Sequence, residues 1–233
     1  MMKIAIITGG ANGLGADMVQ RFSQKGYKVV VLDIKPYSEP NVDFIETDLS
    51  VPDSINNAFE QIKALYGKAH ILINNGAISA FIKPVSEVTL EDYDAVLNTN
   101  LRGAFLCSQQ FIKLNKGEDY GRIINISSTR WHQNMEDWEL YGMSKGGIVS
   151  LTNSLCVSLR GTNITINAIS PGYIYTGNYQ ELEESEHQTH PSNRVGMPRD
   201  ISNVCLFLAD EENDFINGAN IVVDGGMTKR MIY

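Results

Sequence analysis

Cysteine is scarce in this chain. Cys107, Cys156 and Cys205 stand 49 residues apart, and no two form a Cys-x-x-Cys pair. That count excludes a disulfide framework. It suits a reducing cytoplasm, with all three thiols expected to be buried. Positive charge is also in deficit. The 19 Lys and Arg against 27 Asp and Glu give a net charge of −8 and a pI near 5.0. The basic footprint of a nucleic-acid partner is missing, and so is a basic helix for a membrane surface. Long apolar runs are absent too: stretches such as Val29–Leu32 fall far short of a membrane span. Met1-Met2-Lys3 leads directly into a strand pattern, so no signal peptide is expected. No repeat, linker or low-complexity tract interrupts the chain. His187 and His190 have no cysteine or carboxylate cluster at ligand spacing. They are expected to face solvent, and no metal is assigned.

What is present suffices for a substantial core. The 233 residues are 43% apolar and 20% charged, as in an ordinary globular protein. One domain over residues 1–233 is expected. Apolar, β-branched runs at 3–8, 28–33, 42–46, 69–74, 122–127, 162–169 and 219–223 read as seven strands. Between them, apolar residues recur at helical spacing: Leu14 to Phe22, Ile55 to Leu65, Leu90 to Leu114, Tyr141 to Leu159 and Ile201 to Leu208. Strands that are apolar throughout and separated by helices imply a parallel sheet covered on both faces. The fold expected is therefore a doubly wound α/β domain. The acidic stretch 177–191 is the irregular segment and reads as a solvated loop or a mobile lid.

The first functional pattern is a glycine turn. Thr8-Gly9-Gly10-Ala11-Asn12-Gly13-Leu14-Gly15 joins the first strand to the first helix. Glycines allow a sharp turn and close approach to a pyrophosphate, and the helix N-terminus offers free N–H groups and positive potential. Asp33 ends the second strand. An acidic side chain there can accept hydrogen bonds from an adenosine ribose diol and would repel a 2′-phosphate. No arginine adjoins it, so NAD is expected over NADP.

The second pattern is chemical. Tyr141 and Lys145 lie four residues apart, on one face of a helix. A tyrosine with a pKa near 10 is a poor base at neutral pH. A neighbouring ammonium favours its phenolate, which can then exchange a proton with an alcohol or ketone. Ser128, at the end of the fifth strand, can hydrogen-bond the substrate oxygen.

Together these pieces resemble the short-chain dehydrogenase/reductase family over essentially the whole chain. The matching elements are Thr8–Gly15, Asp48-Leu49, Asn74-Asn75, Asn100, Ser127-Ser128, Tyr141 with Lys145, and Pro171-Gly172. The resemblance implies a Rossmann-type seven-stranded parallel sheet, a dimer or tetramer, and hydride transfer with a nicotinamide cofactor. It implies Tyr141 as acid/base, Ser128 as the group orienting the substrate carbonyl, and Lys145 on the nicotinamide ribose, lowering the Tyr141 pKa. Asn100 would hold a water of a proton relay. Gly9, Asn12, Gly13, Leu14 and Gly15 would cradle the pyrophosphate. Asp48 and Leu49 would flank the adenine, with Asn75 and Gly76 beside the ribose. Pro171, Gly172, Ile174 and Thr176 would contact the nicotinamide. One departure stands out: the family usually reads Asn-Asn-Ala-Gly where this chain has Asn74-Asn75-Gly76-Ala77. Glycine permits a positive φ and alanine resists it, so the local backbone is in question.

The substrate is less legible. Ser79, Phe81, Trp131, His132, Met135, Trp138 and the stretch Tyr173–Tyr179 are candidate walls, and the aromatics suggest an apolar or ring-shaped alcohol or ketone. Glu136 and Asp137 disfavour an anionic substrate where they point inward. Reduction of 3-oxoacyl thioesters and oxidation of hydroxysteroids, sugars or polyols all remain open. So do a nucleotide sensor without turnover and a sugar-nucleotide epimerase, although 233 residues leave no room for the latter's usual second domain. The helix 142–159 is apolar on more than one face, which suggests a partner copy on one side. The terminal Met231-Ile232-Tyr233 is a further candidate contact with a neighbour.

Overall fold

A computed structural model describes residues 2–231. In chain order its elements are β1 (Ile4–Thr8), α1 (Gly13–Gln24), β2 (Lys28–Asp33), β3 (Val42–Glu46), α2 (Pro52–Tyr66), β4 (Ile71–Asn74), α3 (Leu90–Leu97), α4 (Gly103–Leu114), β5 (Gly121–Ile126), α5 (Glu139–Ser158), β6 (Ile164–Pro171), α6 (Glu184–His187), α7 (Pro198–Leu208) and β7 (Asn220–Val223). The seven strands form one parallel sheet in the order 3-2-1-4-5-6-7.

Alternate residues of each strand serve opposite faces. Ile4, Ile6, Val30, Leu72, Ile123 and Ile166 pack on one face with Ile55, Phe59 and Ile62 of α2 and Cys107 and Phe111 of α4. Ala5, Ile7, Val29, Val31, Ile73 and Ile124 pack on the other with Met18, Val19 and Phe22 of α1 and Ile201, Cys205 and Leu208 of α7. Both faces are covered over the central strands, and this double burial is why β1, β2 and β4 are almost wholly apolar, whereas the edge strands β3 and β7 are only partly buried. Local signals fix the helix ends. Pro52 opens α2, and Gly67 closes it in a left-handed conformation (φ 72°). Thr89 and Asp92 form a reciprocal cap at the start of α3.

Several expectations are corrected. The helical stretch 90–114 is two helices joined by a π-helical turn over Asn98–Arg102, which periodicity does not reveal. Segment 177–191 contains a 3-10 turn (Tyr179–Glu181) and α6. His190 is buried, not solvent-facing: its ring stacks on Tyr173, and Nδ1 lies 2.9 Å from the Thr189 hydroxyl. His187 is half-buried and accepts the Val195 N–H at Nδ1 (3.1 Å). Ring contacts explain both, with Tyr173 for His190 and with Tyr179 for His187. Of the three thiols, Cys107 and Cys205 are buried, but Cys156 is only partly so. Met231 is exposed, and the other two residues of the candidate terminal contact lie outside the described residues. Among the described residues, no helix is long and apolar enough to cross a membrane.

Candidate active site

The chain leaves β1 towards β2 and β3 on one side and places β4 to β7 on the other. This reversal opens a crevice beyond the carboxyl ends of the strands. A cavity of about 760 Å³ occupies it. Its walls bring together Gly9, Asn12, Gly13, Leu14, Gly15, Asp33, Asp48, Leu49, Asn75 and Gly76 at one end. Ser128, Tyr141, Lys145, Pro171, Gly172 and Ile174 form the other, and Thr176 reaches back to Gly13, where a Cβ would meet its Cγ2 at 3.5 Å.

The first end is built from backbone at close quarters. Gly9 and Gly13 take positive φ (63° and 54°) to make the turn. A methyl group on Gly15 would run into the Gly9 carbonyl oxygen, and it would lie 2.9 Å from Asn75 Nδ2. Thr8 Oγ1 accepts the N–H groups of Asn75 and Gly76, both at 3.0 Å. Asn75 Nδ2 donates to the carbonyls of Thr8 (3.1 Å) and Gly9 (2.9 Å), tying β4 to the turn. No side chain caps α1 at Asn12, so its first N–H groups remain for a ligand. Asp33 is buried, and its carboxylate accepts N–H groups from Ala11 and Lys35, each at 2.9 Å. Its orientation in the cavity wall is thereby fixed.

The Gly76-Ala77 departure has a local explanation. Neither residue takes a positive φ. A Cβ on Gly76 would meet Leu49 Cδ1 at 2.5 Å and the Gly9 nitrogen at 3.1 Å. Leu49 thus fills the space that an alanine would need.

At the other end, β5 delivers Ser128 and α5 delivers Tyr141 and Lys145. A buried polar network anchors α5 to the sheet. Asn74 Nδ2 donates to Asn125 Oδ1 (2.8 Å), and Asn125 Nδ2 donates to Thr152 Oγ1 (2.9 Å). Ser127 Oγ donates to the Lys145 carbonyl (2.9 Å). Lys145 Nζ donates to the Ile126 carbonyl at 2.8 Å and lies 5.5 Å from the centre of the Tyr141 ring. Burial pushes the Lys145 ammonium down to about 8. Burial also raises the Tyr141 phenol above its ordinary 10, while the Ser128 hydroxyl and the Arg130 guanidinium pull it back. Arg130 is thus a second cation beside the phenol, in addition to Lys145 over its ring.

Asn100, Phe81, Trp131, His132, Met135 and Trp138 stay out of the cavity wall. Asn100 is buried in the π turn. Its carboxamide donates to the Ile78 carbonyl (3.0 Å) and Ser144 Oγ (3.1 Å) and accepts the Ile78 N–H (2.7 Å). Both its donors are spent, so to a water its side chain can only be an acceptor. Trp138 stands edge-on to Tyr141, with ring centres 5.7 Å apart. Trp131 is 39% exposed and packs on His132, while Phe81 is half-buried beyond the wall. Sequence reasoning passed over Ile34, Thr47, Ile78, Ala95 and Thr99, all of which line the cavity. They carry no chemical signal of their own. Arg130 did carry one, as a cation two residues after Ser128.

The residues present fit a dinucleotide. One end of the cavity offers close-packed glycines, an uncapped helix N-terminus and a fixed acidic side chain, and the other a tyrosine, a serine and a lysine. Comparison with known proteins agrees. A family model described as enoyl-(acyl carrier protein) reductase matches residues 9–228. An uncharacterised oxidoreductase of Thermotoga maritima is 39% identical, covering 99% of this chain and 98% of its own. The 3-oxoacyl-[acyl-carrier-protein] reductase MabA of Mycobacterium tuberculosis is 32% identical over 97% of this chain and 92% of its own. Among solved structures, an apo SCOR enzyme from Clostridium thermocellum superposes with a TM-score of 0.92 at 35% identity, covering 100% and 96% of the two chains. ElxO with NADP bound gives 0.90 at 28% identity, covering 99% and 100%. The fold and site define a nicotinamide-dependent oxidoreductase. The chain belongs to the short-chain dehydrogenase/reductase family.

Proposed function

We propose that this protein transfers a hydride between NAD(H) and a secondary alcohol or ketone. The observation that carries this reading is the convergence of Ser128, Tyr141 and Lys145 at one end of a cavity whose other end holds Asp33. Tyr141 is the acid/base that takes the alcohol proton or returns it to the ketone. Ser128 orients the substrate oxygen. Lys145 holds ribose hydroxyls, and Asn100 fixes Ile78 in the cavity wall. When bound, the nicotinamide supplies the hydride acceptor or donor. Asp33 favours NAD because a 2′-phosphate would face a buried carboxylate. A relative bound to NADP makes this preference a matter for measurement. Relatives named as 3-oxoacyl reductases support such thioesters as candidate substrates, beside hydroxysteroids and sugars.

Three further readings accompany this one. Residues 1–233 act as one domain, because the two ends of the cavity share one sheet. The chain is a dimer or tetramer, since Phe105, Met143 and Val157 on α4 and α5 are exposed apolar groups. It works in the cytoplasm, as its unpaired thiols suit.

The test is NADH absorbance against ketones, acyl thioesters, sugars and steroids, run in both directions. Tyr141→Phe is expected to keep NADH binding while kcat falls by about 10²-fold or more. Near-normal turnover in that variant would remove Tyr141 from its role. NADH binding without turnover on any class would favour a sensor.

A further inference from the structure

We propose that Arg130 receives an anionic oxygen group of the substrate, carboxylate or phosphoryl, just beyond the cavity wall beside Tyr141. The assignment rests on Tyr141 marking the reacting end, as proposed above.

Arg130 leaves the 3-10 turn (Thr129–Trp131) that Ser128 begins, and its own N–H donates to Ser128 Oγ at 3.3 Å. Its guanidinium carbon lies 3.8 Å from the centre of the Trp138 ring, and Trp138 in turn meets Tyr141 edge-on. Two ring contacts therefore link the cation to the acid/base. Stacking engages the face of the guanidinium and leaves its in-plane N–H donors pointing outward. Their fork matches a carboxylate or phosphoryl group in two parallel hydrogen bonds. Because the stack already holds the side chain, less freedom is lost when an anion binds.

Among the described residues no oxygen acceptor takes that fork. Its one side-chain partner is the Met135 thioether at 3.2 Å, a weak acceptor. Glu136, Asp137 and Glu139 follow in the same segment, yet none lies within ion-pair distance of it among the described residues. Where other arginines have partners these are strong oxygen acceptors: Arg194 grips Asp200 with bonds of 2.7 and 2.9 Å, Arg21 holds Asp17 at 2.8 Å, and Arg122 and Arg230 donate to backbone carbonyls. The walls agree in sign. The carboxylates lining the cavity, Asp33 and Asp48, stand at the far end, whereas Lys145 is the charged residue at the Tyr141 end. The acidic residues of the loop thus do not bar an anion from this end.

The experiment compares matched ligands on the full chain, with binding read by calorimetry and by the fluorescence of its two tryptophans. Acetoacetate is paired with methyl acetoacetate, and dihydroxyacetone phosphate with dihydroxyacetone. Within at least one pair the charged member should bind about tenfold tighter or better, the strength of a charge-assisted bond. The preferred pair identifies the anion as carboxylate or phosphoryl. Arg130→Gln should bring the charged-to-neutral ratio close to one, and Arg130→Lys should keep part of it. If Arg130 merely packs the loop on Trp138, its loss weakens both members alike and leaves the ratio unchanged, which overturns the proposal. So does a wild-type protein that shows no charged preference or binds none of the four. Hydride transfer to a ketone without that preference would refute the anion site alone. The preference without any transfer would refute the proposed reaction and leave the site standing.

Discussion

At the glycine turn, atoms of β1, α1 and β4 approach so closely that a side chain is excluded. At the Tyr141 end, the working groups are side chains carried on a helix and on loops. Gly9, Gly15 and Gly76 have no room for a methyl group. By contrast Ser128, Arg130, Trp138 and Tyr141 owe their places to one another, through a ring stack, an edge contact and a turn. Sterics dictate residue identity in the first region, and mutual packing dictates it in the second. The first is a fixed socket for a constant ligand, and the second can be rebuilt for a new substrate while the socket stays intact.

The sharpest way to break the comparison is Gly15→Ala. The added methyl must displace the Gly9 carbonyl, and with it the Asn75 bonds that tie β4 to the turn. A shift of about 1 Å in such a site costs on the order of 100-fold, so NADH affinity should fall by about that factor. Fluorescence titration of NADH measures it. Affinity within a few-fold of wild type would mean that the turn is soft and that its tight packing does not govern binding.

A smaller effect is expected at Asp33, where the socket first reads chemistry rather than shape. Asp33→Asn keeps an acceptor for a backbone N–H and removes the charge. The preference for NAD over NADP should narrow by on the order of 1–3 kcal/mol, read as a ratio of kcat/KM values. An unchanged ratio would place the discrimination elsewhere in the socket, with Lys35 the nearest charged wall residue.

The same contrast explains what the sequence discloses. All seven strands were legible, because burial on both faces leaves runs such as Val29–Leu32 with no polar residue. Every cofactor contact expected from the motifs lies in the cavity wall, since close approach forces those residue types. The π turn at Asn98–Arg102 was not legible. It changes the hydrogen-bond pattern without interrupting the apolar periodicity of 90–114. His190 was misjudged because its burial comes from a loop folding on Tyr173, a contact that leaves no periodic trace. The aromatics of 131–138 stand beside the cavity and not in its wall. Trp138 supports Arg130 and Tyr141 from outside the wall, and nothing in the spacing says which ring will lie under which cation.

Lys145 joins the two regions, and the smallest predicted effect concerns its cost to the fold. Its ammonium is buried with the Ile126 carbonyl as hydrogen-bond partner. Burial lowers it to about 8 from an ordinary value near 10.5. In the unfolded chain the group holds its proton up to about pH 10.4. Between about pH 8 and pH 10.4 the unfolded chain therefore binds more protons than the native one, and this group makes stability rise with pH. Below pH 8 both states are protonated, and the native state carries the full cost of the buried charge, on the order of 3 kcal/mol. Lys145→Met removes that cost but leaves the Ile126 carbonyl without its donor, a loss of about 1–3 kcal/mol. The variant should be inactive, and more stable at pH 7 by roughly 1 kcal/mol, a Tm gain of about 2–4 °C. The gain should shrink as pH climbs past 8 and change sign before about pH 10. Melting curves of the two proteins across that range decide the matter. A Tm at pH 7 no higher than that of the wild type would mean that the Ile126 hydrogen bond fully offsets the burial of the charge, so that the fold loses no stability by keeping this lysine.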